Sequence, residues 1–213
     1  KKIIQTFQAI PTNQKRLPKV GIVGEILIKY HHYGNHDLAN TLEKEGCEVF
    51  VPELMGFVKY CVYNQIAKIE LLGGKKTTTY LSKQVLNIID YYERTVKKEL
   101  AGTKYRSTTN IYQLAKNVEP ILSKGNQTGE GWVLTAEMIE LIEDGVNNIV
   151  CVQPFACLPN HIVGKSVIKK IKELYPYANI VAIDYDPGSS ESNQINRLKL
   201  MLSVAKDNLS TKE

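Results

Sequence analysis

Short apolar runs alternate with longer amphipathic stretches at both ends of the chain. "KVGIVGEI" (19–26) follows Pro18, is apolar and β-branched, and predicts strand one. "NHDLANTLEKEG" (35–46) has helical spacing, with Asn35 suited to the N-cap and Gly46 to the position past the C-cap. "CEVFVP" (47–52) predicts strand two, ended by Pro52. Strand, helix, strand in that order implies a parallel pair joined by a right-handed crossover.

Residues 53–146 lack comparable strand signals. "MGFVKYCVYNQIAKIELL", "TYLSKQVLNIIDYYERTVKKELAG", "NIYQLAKNVEPIL" and "TAEMIELIEDG" all read as helix, so this stretch is expected to be a helical insertion. The strand pattern returns with "NNIVCV" (147–152) and "ANIVAID" (178–184). Between them "NHIVGKSVIKKIKELY" (160–175) predicts a helix with Asn160 as its N-cap. A last helix is expected over about 190–206, where Ile195, Leu198, Leu202 and Ala205 keep one face.

The expected fold is a single α/β domain spanning 1–213, with its core in 19–52 and 147–206 and the insertion in 53–146. It is doubly wound, with a four-stranded parallel sheet in the order 2-1-3-4. In such sheets ligands bind beyond the carboxyl ends of the strands, where the strand order reverses. That point falls between strands one and three. The loops there are "GEILIKYHHYGN" (24–35) and "QPFACLPN" (153–160).

Composition narrows the class. Of 213 residues, 43% are hydrophobic and 23% charged, as in an ordinary globular protein. No apolar run approaches the ~20 residues of a membrane span. The N-terminal "KKIIQTFQAIPTNQKRLPK" has no signal-peptide core, so the expected compartment is the cytoplasm. The chain begins with Lys1 rather than Met, and we read it as part of a longer polypeptide. The net charge of +5 comes from lysines scattered along helices, which argues for solvated faces and against nucleic acid. An acidic ligand such as an acyl-CoA is compatible with it.

Four cysteines, Cys47, Cys61, Cys151 and Cys157, form no C-x-x-C pair and fit no zinc spacing. Cys157 lies outside strand three, between Pro154 and Pro159, before a helix. A helix N-terminus favours a thiolate, the form that binds iron. The alternative is a small residue filling a turn, and position favours the thiolate. Cys47 and Cys151 sit in apolar strands and are expected to pack in the core. Cys61, on the first helix after strand two, either converges on Cys157 or packs.

Three other groups carry weaker signals. "GNQTGEG" (125–131), with Gly129 and Gly131, is either an anion-cradling loop or a flexible turn. His31, His32 and His36 lie at the switch point, but their spacing is not that of a helical metal pair. Asp184 and Asp186 in "DYDPGSSES" (184–192) could hold a cation, although Asp-Pro-Gly is also a turn, with Ser189 or Ser190 as a natural N-cap. No catalytic residue stands out.

The segments "VGIVGEI", "ANTLEKEGCEVFVPEL", "GEGWVLTAEMIELIEDGV", "VQPFACLPNHIVGKSVIKKI" and "IVAIDYDPGSSESNQINRLKLML" resemble one family over about 19–206. It is the C-terminal region of CoA-substrate-specific enzyme activase-related proteins, grouped with (R)-2-hydroxyacyl-CoA dehydratase components of the 2-hydroxyglutaryl-CoA dehydratase type. The resemblance implies an anaerobic system. A [4Fe–4S] cluster is held by cysteines between α/β domains, an ATP-dependent activator donates an electron, and a lyase removes water from a 2-hydroxyacyl-CoA. It implies Cys157, and less directly Cys61, as cluster ligands, with Gly129 and Gly131 approaching the cluster or substrate phosphates. The partners implied are other domains of the parent polypeptide, or a dehydratase or activator subunit. The sequence departs from the pattern after strand one, where Gly24 and Glu25 replace a cysteine. The activator's ATPase signature is also absent. The isolated chain is therefore expected to be inactive and to bind a cluster weakly or not at all. The alternative is a non-catalytic assembly domain that docks onto an activator or partner subunit.

Overall fold

The structure is a computed structural model that describes residues 1–12, 15–186, 188 and 190–210. The chain divides into two compact units, one of Lys1–Arg16 and Glu53–Gln113, the other of Leu17–Pro52 and Leu114–Glu213.

The second unit carries a four-stranded, all-parallel sheet in the order β2-β1-β3-β4. Its strands are β1 (Lys19–Gly24), β2 (Glu48–Phe50), β3 (Asn148–Pro154) and β4 (Asn179–Tyr185). This is the expected doubly wound α/β fold. The central strands β1 and β3 are buried on both faces, which is why they read as unbroken apolar runs. The side chains of β1, β3 and β4 alternate between two cores. Val20, Ile22, Val150, Val152, Ile183 and Tyr185 face one side. Val23, Ile149, Cys151, Ile180 and Ala182 face the other.

Helices cover each face. The helical unit supplies α1 (Lys2–Gln8). After β1 come α2 (Ile26–Tyr30) and α3 (Leu38–Lys44), and Leu38 and Leu42 of α3 join the first core. The helical unit then contributes α4 (Leu54–Leu72) and α5 (Lys76–Leu100), and α6 (Ile111–Val118) leads into the sheet unit. Helix α7 (Gly131–Glu143) lays Leu134, Met138, Leu141 and Ile142 on the second core. Past β3 run α8 (Leu158–Asn160), a π-helical turn (His161–Lys165) and α9 (Ile168–Leu174), on that same face. Helix α10 (Glu191–Ser210) returns to the first core with Leu198, Met201, Leu202 and Ala205, while Ile195 is left at the exposed edge.

The expected insertion, 53–146, therefore has two fates. Residues 53–113 belong to the helical unit. Helix α7 is a structural layer of the sheet unit, buried at nearly every position. A helix that is apolar all round is a buried helix.

In the helical unit α4 and α5 pack together. Lys59 is buried and donates to Glu93 at 2.8 Å, with Glu53 at 3.4 Å. Asp90 accepts the Asn110 amide, and Tyr63 meets Tyr112 edge to face. Among the described residues no helix is long and apolar enough to cross a membrane.

Two expected caps differ from their positions in the structure. Asn35 precedes α3 by three residues, yet its Oδ1 still accepts from the Leu38 amide at 3.2 Å. Asn160 stands at the N-cap of the π-helical turn but makes no side-chain capping bond, and it is not where the helical run begins. The N-cap of that run falls to Cys157, because the helix starts at Leu158. The suggested cap Ser189 lies outside the described residues.

Candidate functional site

The chain leaves β1 and β3 toward opposite faces, and the crevice between their carboxyl ends is the switch point. Gly24 closes β1 there at φ 137, and a Cβ on it would lie 1.9 Å from the Val152 carbonyl oxygen. Only glycine permits that approach. The next amide, Glu25, donates to the same carbonyl at 2.9 Å and prolongs the ladder.

Two carboxylates hold the start of α2. Glu25 accepts from the Ile28 amide at 2.7 Å, and Glu130, from the loop before α7, accepts from Ile26 at 3.0 Å. Each satisfies an amide that the helix leaves without an internal partner. One turn on, buried Lys29 donates to both oxygens of buried Glu137 at 3.1 Å and lies over the Tyr30 ring. Burial alone would lower the Lys29 pKa. The Glu137 charge, with help from Tyr30, reverses this and holds the ammonium above its ordinary range. Burial pushes the Glu137 carboxyl up, and Lys29 opposes that shift. The lysine charge offsets part of the cost of placing a carboxyl group in so dry a place.

The loop after β3 is tightly bent. Cys157 N donates to Pro154 O at 3.2 Å, closing a turn whose third residue, Ala156, sits at φ 57. Turns of this kind favour glycine at that position. Phe155 and Leu158, each 69% exposed, flank the half-exposed Cys157. The backbone is pinned by His161, whose Nδ1 lies 2.9 Å from Cys157 O.

Behind the turn lies a buried polar set on the second face. Gln153 on β3 is level with Asp184 on β4, and its amide donates to Asp184 at 2.5 Å. Lys165 reaches the other oxygen of Asp184 at 3.7 Å. Gly164 lets the π turn close onto this face, because a Cβ there would lie 3.0 Å from Cys151 Sγ and 2.9 Å from Leu134. Asn160 is fully buried and donates through Nδ2 to Cys157 Sγ at 3.2 Å.

The sequence-predicted residues fall into distinct places. Cys47 and Cys151 are in the two cores, and burial raises both thiol pKa values, that of Cys151 to about 12. Neither is available as a thiolate near neutral pH. Cys61 is exposed on α4 in the helical unit, and burial of its sulfur raises its pKa too. Gly129 touches the cysteine loop, since a Cβ on it would meet Pro159 Cβ at 3.3 Å. Three amides of this stretch are paired locally, Gly125 to Ser123 Oγ, Asn126 to Ser123 O and Gly131 to Thr128 O.

The three histidines serve their own turn. His31 accepts from the Gly34 amide, His32 lies 3.4 Å from Asp37, and His36 packs edge-on against Tyr185. Asp184 is occupied by Gln153 and Lys165. Among the described residues no group of three His, Cys, Asp or Glu side chains is placed to hold a metal ion.

Glu25, Glu130, Gln153 and Asn160 are the site residues that sequence reasoning passed over. Glu130 stood inside the "GEG" already singled out, and an acid between glycines before a helix was the available signal. No model of a known protein family matches the chain, nor does any curated protein or any solved structure.

Proposed function

We propose that the sheet unit is an iron–sulfur-associated domain of a larger cytoplasmic system of the 2-hydroxyacyl-CoA dehydratase and activase-related kind. Cys157 serves as a thiolate ligand of its [4Fe–4S] cluster. One observation carries the reading. Cys157 alone among the sheet unit's three thiols is not buried, and it stands beyond the carboxyl end of β3, in a bent turn, with a buried amide donating to its sulfur.

The donors present set how far the group fits. A self-contained cluster does not fit, because Cys47 and Cys151 are core residues. A single ligand to a shared cluster does fit. The remaining ligands then come from another domain of the parent polypeptide or from a partner subunit. Such a cluster supplies one-electron chemistry, in this setting for removing water from an acyl-CoA. The chain's own part is to orient one sulfur at a crevice rimmed by Phe155 and Leu158.

The test is the iron and acid-labile sulfide content of the parent polypeptide after anaerobic reconstitution, wild type against Cys157→Ser. The substitution is expected to remove most of both. Equal loading takes Cys157 out of the ligand set.

A second reading, a non-catalytic assembly domain docking onto an activator or partner subunit, is favoured by α5. Leu81, Val85, Ile88, Tyr92 and Val96 recur there at helical spacing, and all are exposed. An apolar stripe of this kind exceeds the scattered surface hydrophobics of most proteins.

A further inference from the structure

Helices α4 and α5 are joined by a short turn through Gly73 and Gly74 and run antiparallel, with Lys59 of α4 bound to Glu93 of α5. Tyr63 of α4 meets Tyr112, and Asp90 of α5 accepts from Asn110, so both helices turn one side to the same short segment. On each helix an apolar stripe lies about half a turn round from that side. The two stripes therefore share one face of the helix pair.

Each stripe is symmetric along its helix. On α5, Leu81 and Val96, Val85 and Tyr92, and Ile88 and Ile89 are pairs equally spaced about one midpoint, between Ile88 and Ile89. On α4, Met55 and Leu72, Val58 and Ile69, and Val62 and Gln65 are equally spaced about a midpoint between Tyr63 and Asn64. Lys59 stands as far before the α4 midpoint as Glu93 stands after the α5 midpoint, so their ion pair sets the two midpoints level. All the side chains of the stripes are exposed or half-buried, and none is charged. Asp90 and Glu93 are turned inward, to Asn110 and to Lys59 and Lys97. The exposed cations Lys68, Lys83, Arg94 and Lys98 lie outside the stripes.

A surface that meets its own copy about a twofold axis must be self-complementary, so that residue i meets j and j meets i. One axis through the two midpoints achieves this for both helices. It lays α5 antiparallel on its copy, Leu81 against Val96 and Val85 against Tyr92. It lays α4 on its copy likewise, Met55 against Leu72. Four helices then enclose one apolar seam, the arrangement of a four-helix bundle. Two helices, each about 10–12 Å across, side by side over the ~22 Å from Leu81 to Val96 make a patch of roughly 500 Å² in plan. Side chains standing off it raise the accessible area toward the about 800 Å² that a stable interface takes from each partner.

We propose that the α4–α5 face is a homodimer interface, on which a second copy of this chain packs hairpin on hairpin about that axis. The inference deepens the assembly reading by naming the partner subunit, and it rests on the exposed stripe of that reading. It is independent of the cluster.

The test is the mass of the parent polypeptide in solution, by sedimentation at micromolar concentration. Wild type should be a dimer. Ile88→Glu sets two like charges beside the axis and should weaken the dimer about a hundredfold or more. Leu200→Glu, at an exposed position on α10, should change nothing. Circular dichroism checks that both variants keep their helices. A second measurement reads the register, in a Cys61→Ser background because exposed Cys61 is also on α4. A short bis-maleimide should join Ile88→Cys to its own copy, and should not join Leu81→Cys, which lies ~22 Å along the axis of the pair from its own copy. A monomeric wild type overturns the proposal. So does a dimer that Ile88→Glu leaves intact, or equal cross-linking at both positions. The assembly reading fails separately, if Ile88→Glu also leaves binding to an activator or partner subunit unchanged.

Discussion

Lys29 on α2 and Glu137 on α7 form a fully enclosed ion pair, the ammonium 3.1 Å from each carboxylate oxygen. It ties the segment after β1 to the helix beneath the sheet and so sets one wall of the crevice. Removing one partner of such a pair leaves an uncompensated buried charge. Lys29→Met is expected to cost about 3–5 kcal/mol, and the double variant Lys29→Met/Glu137→Leu to recover most of it. Urea unfolding of the three proteins checks this. If the single variant costs no more than the double, the pair does not have the buried character described.

Cys151 predicts an alkaline weakness. Burial first, with the nearby Glu137 charge second, raises its pKa from 9.0 to about 12. In that window the folded thiol stays neutral while the unfolded chain ionises. The stabilisation is complete below the unfolded value and is lost as pH rises toward the folded one, at about 1.4 kcal/mol per pH unit. Urea midpoints should therefore fall less steeply for Cys151→Ala than for wild type between about pH 9 and about pH 11. Parallel slopes would contradict the burial of this thiol.

Ala156 holds the bend before Cys157 at φ 57, where a Cβ costs about 1 kcal/mol and glycine costs nothing comparable. Ala156→Gly is expected to stabilise the sheet unit by about that amount, read from the urea midpoint. A loss of stability would mean that the turn takes another conformation.

The strands were legible because parallel strands buried on both faces leave continuous apolar runs, as in "GIVG" and "NIVCV". Their order is the usual one for a doubly wound domain of this kind. The placing of α7 was also written in its sequence, which is mostly apolar, but it was read with its neighbours as insertion. The details around Cys157 were not legible. Ala156 takes a positive φ without the glycine that signals one. The π turn has no local signature, because its extra residue is fixed by how His161–Lys165 packs on the sheet. Asn160 looked like a cap, since an asparagine before a helical pattern usually is one. Its partner turned out to be a sulfur three residues back rather than an amide ahead.

The most direct measurement is protection of Cys157 by the cluster it is proposed to bind. The parent polypeptide is reconstituted anaerobically with iron and sulfide, treated with iodoacetamide beside an iron-free control, and digested for mass spectrometry. A ligating sulfur cannot be alkylated while it is bound to iron. Cys157 should label readily without iron and resist labelling in the loaded protein, with Cys47 and Cys151 silent in both. Cys157 labelling at the same rate with a full cluster in place would contradict its role as ligand.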